Sequence, residues 1–498
     1  MTKIVHETKS ICPECLKVID AELLEEDGQI KIRKTCEEHG EFEEIYWSNI
    51  EHYKWVMKFQ DDGEGISNPG TKKTEKGCPY DCGLCEEHKS HTVLGLVDVT
   101  NRCNLRCPVC FANAASVGYV YEPTKEQIKE MLQNLRNNKP VPCYSFQFAG
   151  GEPTMRDDLP ELVKIGKELG FLFIMVDTNG IRIAEDGKYL KALKDAGLDS
   201  FYLQFDGLDD EIYKKLRGRK LLETKIEAIE NCREIGLKNV VLVVTLVKGV
   251  NDDQLGDIIK FAVENSDIIT SVNVQPISFS GRVSDVERKK GRITTYDFID
   301  LLEKQTNGKI KAKYFYPIPA TVPISRFIEA ETREPSTKLS THPCCGVATY
   351  IITDDDGSYT PINELVDVDK FLSILQKGYS KTTKLEITAH ILRDAIKNIH
   401  DSGRRKLIQQ FLREGTFDAA AAFHKNAIMI GCMHFQDPWN FDLERVQRCV
   451  IHYSLPDGRL LPFCPYNNLH RGALENKFSV PLREWGSNHG GLPISAYC

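Results

Sequence analysis

From residue 93 to about 310, short apolar runs alternate with longer stretches in which apolar residues recur every three or four positions. The runs are VLGLVDV, YSFQFAG, FLFIMVDTNG, SFYLQFDG, VVLVVTLVKG and SVNVQPISFSG. Between them lie TKEQIKEMLQNLRNN, DDLPELVKIGKELG, GKYLKALKDAG, LLETKIEAIENCREIG, DDQLGDIIKFAVEN and, after the last run, TTYDFIDLLEKQ. Leu222, Ile226, Ile229 and Ile235 fall on one face of such a stretch, as in an amphipathic helix. Strand, helix, strand repeated six times predicts a parallel sheet with helical crossovers. Six units suit a partial (β/α)6 barrel better than a closed eight-unit one, and such folds bind ligands at the carboxyl ends of the strands.

The flanks read differently. Residues 1–60 hold CPEC and CEEHG, and between them LKVIDAELLEEDGQIKIRKT predicts two short strands around the turn Asp27–Gly28. Residues 61–92 begin as a Gly/Pro/Lys-rich linker and end in a second cysteine cluster, GCPYDCGLCEEH. Residues 311–498 open on a proline-broken apolar segment, IKAKYFYPIPATVPISRF, and continue as a mainly helical C-terminal domain. Cysteines return there, which predicts a further metal site.

Composition narrows the class. With 64 basic and 72 acidic residues in 498, the formal charge is −8, which argues against a general nucleic-acid binder. The amino terminus, MTKIVHETKS, does not resemble a secretory signal, and no apolar run approaches the length of a transmembrane helix. Seventeen cysteines at short spacings then read as metal ligands in a reducing, cytoplasmic setting rather than as disulfides.

The central chemistry lies in DVTNRCNLRCPVCFAN, where Cys103, Cys107 and Cys110 follow the first barrel strand. Three thiolates can hold three irons of a four-iron cluster and leave one iron open to a small molecule; the alternative is a zinc knuckle with a distant fourth ligand. This C-x3-C-x2-C loop, with GGEP about forty residues later, resembles the radical S-adenosylmethionine (SAM) superfamily. The resemblance implies a [4Fe-4S] cluster at Cys103, Cys107 and Cys110 whose open iron binds SAM. Reductive cleavage of SAM then yields a 5'-deoxyadenosyl radical, with electrons from a donor such as ferredoxin or flavodoxin. It places Gly150, Gly151 and Glu152 at the SAM amino group. Polar residues at later strand ends, Thr178, Asn179, Gln204, Asp206, Gln275 and Arg282, are further candidates, each also readable as a turn or cap residue.

The other cysteines form separate groups. Cys12, Cys15, Cys36 and His39 make two facing knuckles that could close a tetrahedral site for one zinc or iron ion. Cys78, Cys82 and Cys85 repeat the three-and-two spacing without a glycine motif, so they predict an auxiliary four-iron cluster or a structural zinc site. The fourth ligand could be His88, His91 or, remotely, Cys344 or Cys345. Cys449 and Cys464 flank a turn at Pro456–Gly458; with Cys432 and one of Cys344 or Cys345 they make a second auxiliary set. Cys143 is either core or ligand, and Cys232 reads as a core thiol.

The order CPECLKVIDAELLEEDGQ, GCPYDCGLCEEHKSHT, DVTNRCNLRCPVCFANA resembles an archaeal radical SAM group, the tetraether lipid synthases, over nearly the whole chain. That resemblance implies carbon–carbon coupling between terminal methyl carbons of phytanyl chains in diether phospholipids. It also implies two auxiliary clusters and transient contact with the inner membrane surface. Lining would come from FYPIPATVPISRF and AAAAFHKNAIMIG, and headgroup contacts from Arg326, Arg404 and Arg405. The competing expectation is radical SAM methylation or sulfur insertion on a lipid or other small molecule.

Overall fold

The computed structural model describes residues 3–488 apart from 71–74, 116, 282–287, 289, 355 and 379–426. Arg282, Arg404 and Arg405 lie outside the described residues, as does most of AAAAFHKNAIMIG.

The first sixty residues form an antiparallel meander of strands Lys3–Ile11, Val18–Glu26, Gln29–Cys36 and Gly40–Trp47, closed by helix Ile50–Val56. Only Asp27 and Gly28 separate the middle strands. Both take positive φ, 51° and 76°, the pairing that a two-residue hairpin with right-handed strand twist demands. Alternate residues Leu23, Ile30 and Ile32 pack with Tyr46, Trp47 and Tyr53 into a separate small core. This domain is tied to the C-terminal segment: Tyr46 donates to Asp442 at 2.7 Å, and Ser10 donates to the Phe441 carbonyl at 2.5 Å.

The six predicted strands are Leu94–Thr100, Ser145–Gly150, Phe173–Thr178, Ser200–Gln204, Val240–Leu246 and Ile269–Pro276. They pair in sequence order, all parallel. Amphipathic helices cross between them, among them Lys125–Arg136, Leu159–Glu168 and Leu255–Glu264, with Thr295–Gln305 following the sixth strand. Thr124 and Gln127 form a reciprocal capping box that starts the first crossover helix. The helices bury Ile128, Leu132, Leu162, Ile258 and Phe298 against the strands in one large core. The chain therefore folds as a partial (β/α)6 barrel with a small N-terminal Cys/His domain and a C-terminal auxiliary region.

Two particulars differ from the sequence reading. On helix Leu222–Glu234, Ile229 and Cys232 face inward as expected, but Ile226 is 39% exposed and Lys225 and Ala228 face inward instead. The helix is rotated so that the Lys225 ammonium reaches the carbonyl of Asn179 and Gln204 Oε1. The C-terminal segment, most of whose predicted helical stretch lies outside the described residues, also adds strands to the barrel sheet. Strand Ala427–Met433 extends the barrel sheet in parallel beside the sixth strand, and Ile451–Ser454 does so beside the first. Gly346–Thr353 and Leu460–Pro462 cap these additions in antiparallel. No helix among the described residues is long and apolar enough to cross a membrane.

Candidate functional site

The barrel encloses a cavity of about 1250 Å³. At one end it meets Cys103, Cys107 and Cys110, with Gly150, Gly151, Glu152, Thr178, Asn179, Gln204 and Gln275 at the strand ends around them. Along its flank it meets Cys345, Cys449 and Cys464, from the C-terminal additions. The parallel strands deliver these groups because each ends on the same rim, and the loops beyond carry the polar side chains.

Burial pushes the Cys103 thiol far above its ordinary value, and the neighbouring Glu152, Cys107 and Cys110 add to the shift. The Cys107 thiol is raised in the same way but is opposed by the Arg217 guanidinium, which hydrogen-bonds it. Thiolates in such a place need a cationic partner, and an iron cluster supplies one. Arg217 is held for this position. Its Nε and Nη2 donate to the two oxygens of Asp206 at 2.7 and 2.8 Å, and Nη2 also reaches Thr245 Oγ1 at 2.8 Å.

The glycines serve the loop itself. A Cβ at Gly150 would lie 2.2 Å from the Thr100 carbonyl oxygen, and one at Gly151 would lie 2.2 Å from that of Arg102. Gly151 N–H donates to Thr100 O at 2.7 Å, and Glu152 N–H donates to Arg102 O at 2.8 Å. The second strand is thus clamped to the entry of the cysteine loop, which fixes the loop before any ligand arrives. Glu152, 1% exposed, accepts from Thr178 Oγ1 at 2.8 Å, Thr154 Oγ1 at 2.6 Å and Asn179 N–H at 2.7 Å. It knits the ends of the second and third strands together. Gln204 receives the Lys225 ammonium at 2.8 Å, and Gln275 donates to Tyr202 Oη at 3.0 Å. Asp206 is fully buried beneath Arg217 and does not border the cavity, so its place is to orient that arginine.

Of the five described C-terminal cysteines, three come together. Cys449 and Cys464 feel each other and Cys345, and Arg445 Nε lies 3.4 Å from Cys345 Sγ. The adjacent cysteines part company: Cys344 turns into the small N-terminal core, 3.9 Å from Met57 Sδ. Cys432 also borders the cavity but is fully buried in the barrel core, with its thiol beside Thr295. Cys143, also fully buried, donates to the Ser145 carbonyl at 3.1 Å, and Cys232 is 1% exposed in the core. A three-thiolate set remains beside the cavity. His434, 2% exposed and bordering the same cavity, leaves its Nε2 without a hydrogen-bond partner.

The N-terminal set closes differently. Ligand atoms of Cys12, Cys15, Cys36 and His39 all lie within 4.8 Å of one another. His39 Nδ1 is 3.5 Å from Cys36 Sγ and 3.7 Å from Cys12 Sγ, a spacing that fits one tetrahedral ion.

Three residues that sequence patterns did not single out shape the cavity: Arg217, Arg445 and Asp177. Asp177 ends the third strand beside Tyr202 and presents its carboxylate to the cavity; desolvation raises its pKa to about 7. A carboxylate at the end of a strand, next to the Thr178–Asn179 pair that did draw notice, was the signal available. Arg326, considered for a phosphate, is instead paired with Asp61 at 2.7 Å.

Comparison with known proteins agrees with this geometry and revises its substrate. Residues 97–262 match the radical SAM superfamily, and residues 4–48 match the HMPTM N-terminal zinc ribbon domain. The chain is 48% identical over 495 residues to a 7,8-dihydro-6-hydroxymethylpterin dimethyltransferase of Methanocaldococcus jannaschii, covering 97% of each protein. A GTP 3',8-cyclase of Limosilactobacillus fermentum is 30% identical over 212 residues, 42% of this chain and 60% of that one. The crystal structure of Streptococcus suis SuiB bound to S-adenosylmethionine aligns with 44% of this chain and 48% of its own, at 19% identity and a TM-score of 0.35. The two sequence relatives overturn the expectation of a tetraether lipid synthase coupling diether phospholipid chains: one, matched over 97% of both chains, carries a pterin in its name, and the other, matched in part, carries a nucleotide. The expectations of a phospholipid partner and of lipid biosynthesis fall with it, and the competing expectation of methylation on a small molecule gains.

Proposed function

Because this chain belongs to the family of the 7,8-dihydro-6-hydroxymethylpterin dimethyltransferase, a radical SAM family, we propose that it methylates carbon on a reduced pterin. The observation that carries the reading is 48% identity sustained over 97% of both chains. The cavity supports it. A pterin is a flat heterocycle with an amidine-like edge of two N–H donors, and a carboxylate accepts such an edge in a fork. Asp177 offers that carboxylate, with Tyr202 and Gln275 on neighbouring strands to border the ring.

Cys103, Cys107 and Cys110 would hold the SAM-binding cluster, and Cys345, Cys449 and Cys464 an auxiliary one; Cys12, Cys15, Cys36 and His39 would hold one zinc or iron ion. Thiols grouped in this way fit such centres by their donor chemistry. When bound and reduced, the SAM cluster supplies a hydrogen-abstracting radical, suited to carbon that has no acidic proton. The chain's own residues then do four things. The Gly150–Gly151 clamp fixes the cysteine loop, and Arg217 steadies the Cys107 thiolate. Arg445 steadies Cys345, and Asp177 orients the pterin.

The test incubates anaerobically reconstituted protein with SAM, a reductant and 7,8-dihydro-6-hydroxymethylpterin. Further SAM is the methyl donor in this mixture, so mass spectrometry should find 5'-deoxyadenosine and S-adenosylhomocysteine together with pterin that has gained one and then two methyl groups. A pterin that neither stimulates SAM cleavage nor gains mass overturns the reading.

A further inference from the structure

The loop Cys78–Cys85 takes no part in the large cavity, yet its three thiols face one another. Burial pushes the Cys78 and Cys82 thiols up, Cys82 to about 12, and both feel Cys85. They surround a cavity of about 20 Å³ of their own, which His88 also borders. The Cys12 set is the one group among the described residues whose ligand atoms all lie within 4.8 Å. The Cys78 loop is wider, as a multi-iron core requires and a single tetrahedral ion, with its thiolates about 3.8 Å apart, does not.

Four residues compete to complete this set. Asp81 borders the cavity, but its carboxylate already caps the turn before it, accepting from the N–H groups of Glu75 at 2.6 Å and Gly77 at 3.0 Å. Glu87 borders it too, but is exposed to solvent. His91 is turned away, its Nε2 accepting from Lys338 N–H at 3.2 Å. His88 remains. Its backbone N–H donates to the Cys85 carbonyl at 3.0 Å, a turn that folds the side chain back onto the cysteine loop, where it is 5% exposed.

The tautomer of His88 follows from its partner. Nε2 lies 2.8 Å from the carbonyl oxygen of Cys449, which can only accept, so the proton sits on Nε2. His452 Nε2, 3.2 Å away, stands behind the same atom. Nδ1 is therefore the nitrogen with a free lone pair, on the ring that borders the cavity. A ligating imidazole characteristically donates its other N–H to a backbone carbonyl in this way. We propose that Cys78, Cys82, Cys85 and His88 form a closed Cys3His site for an auxiliary iron–sulfur cluster, with His88 ligating through Nδ1. With every iron held by the protein, this cluster binds neither SAM nor substrate. Replacing one thiolate by neutral imidazole raises its reduction potential above that of a four-thiolate cluster. The assignment stands whether or not the substrate is a pterin.

The experiment uses full-length protein carrying Cys103→Ala, Cys107→Ala and Cys110→Ala, which removes the SAM-binding cluster and its nitrogen ligand. Reduced protein made with natural-abundance and with 15N-labelled histidine is compared by pulsed EPR. The expected result is a strong nitrogen coupling that changes with the label. His88→Cys should abolish that coupling, keep the iron and sulfide content and lower the cluster's midpoint potential. His434→Leu should leave the coupling unchanged. Zinc without sulfide at this site overturns the proposal. So does a reduced cluster with no nitrogen coupling, or a coupling that survives His88→Cys or vanishes with His434→Leu.

Discussion

Two cysteine sets in this chain, one in the N-terminal meander and one at the barrel rim, do opposite things with thiolate donors. At the N-terminal set, four ligands converge within 4.8 Å from two hairpin turns. The meander brings both knuckles to one end, so an ion there is enclosed and has no position to offer. At Cys103, Cys107 and Cys110 the strand delivers three thiols to the rim of a cavity of about 1250 Å³ and stops. What separates them is the surrounding architecture. An antiparallel meander folds its loops back on each other, whereas a parallel barrel turns all its loops toward a common space. The first arrangement staples, and the second reacts.

The largest effect tests the open site. Cys103→Ala, Cys107→Ala and Cys110→Ala, singly, should reduce SAM cleavage by on the order of 10³-fold or more, since the step has no substitute path in the protein. The N-terminal ion should remain bound, as metal analysis would show. An enzyme that still makes 5'-deoxyadenosine after losing Cys107 would end the distinction drawn above.

The converse variant strikes the closed site. Cys36→Ala leaves a three-ligand cage, and the N-terminal meander should lose its ion and roughly 2–5 kcal/mol of local stability. The hydrophobic cluster around Trp47 and Ile32 limits the loss, because the domain does not depend on the ion alone. Limited proteolysis should cut within the first sixty residues while the iron–sulfur absorbance persists. Cluster loss throughout the molecule would mean that the two regions do not behave independently.

Substrate binding carries a pH signature. Burial raises the Asp177 carboxyl from the unfolded value of 3.8 to about 7. Its folded-state pKa is the higher one, so protonated Asp177 favours the fold below about pH 4, and that contribution is lost as pH rises through about 7. A pterin that donates to the carboxylate prefers the charged form. Its KM should therefore fall as pH rises from 6 to 8, and Asp177→Asn should flatten that dependence and raise KM about 10–100-fold. Steady-state kinetics across that range decides it, and an unchanged profile in Asp177→Asn would place substrate recognition elsewhere.

Much of this was legible because periodicity is local. Six apolar runs separated by amphipathic helices could hardly pair otherwise, and the Asp27–Gly28 turn announced its hairpin. The added strands were not legible: AIMIGCM and IHYS are short, and each pairs with a barrel strand more than 150 residues away. The inward turn of Lys225 was not legible for a related reason. An ammonium on a helix reads as solvent-facing until the Asn179 carbonyl and Gln204 appear beneath it. Arg217 and Arg445 passed unnoticed because their partners, Cys107 with Asp206 and Cys345, are brought to them only by the fold. Among the cysteines, spacing located the groups, but side-chain direction decided membership, and a one-residue step separates Cys344 in one core from Cys345 at the cavity.

The smallest effect is expected where that direction matters most. Cys344→Ala removes a fully enclosed thiol beside Met57 and Tyr46, and Cys345→Ala, one position on, removes a thiol that Arg445 approaches at 3.4 Å. The first should leave iron content unchanged and cost about 1–2 kcal/mol of stability, the price of a small cavity in a packed core. The second should lower iron content by one cluster's worth and uncover the Arg445 charge. Cys344 and Cys345 close the short 3-10 turn Pro343–Cys345, in which consecutive side chains point in different directions, so the pair separates packing from ligation with the backbone held constant. If Cys344→Ala also lost iron, the thiol would have to be a ligand from within the N-terminal core, and the division between stapled and reactive regions would run through that core instead of beside it.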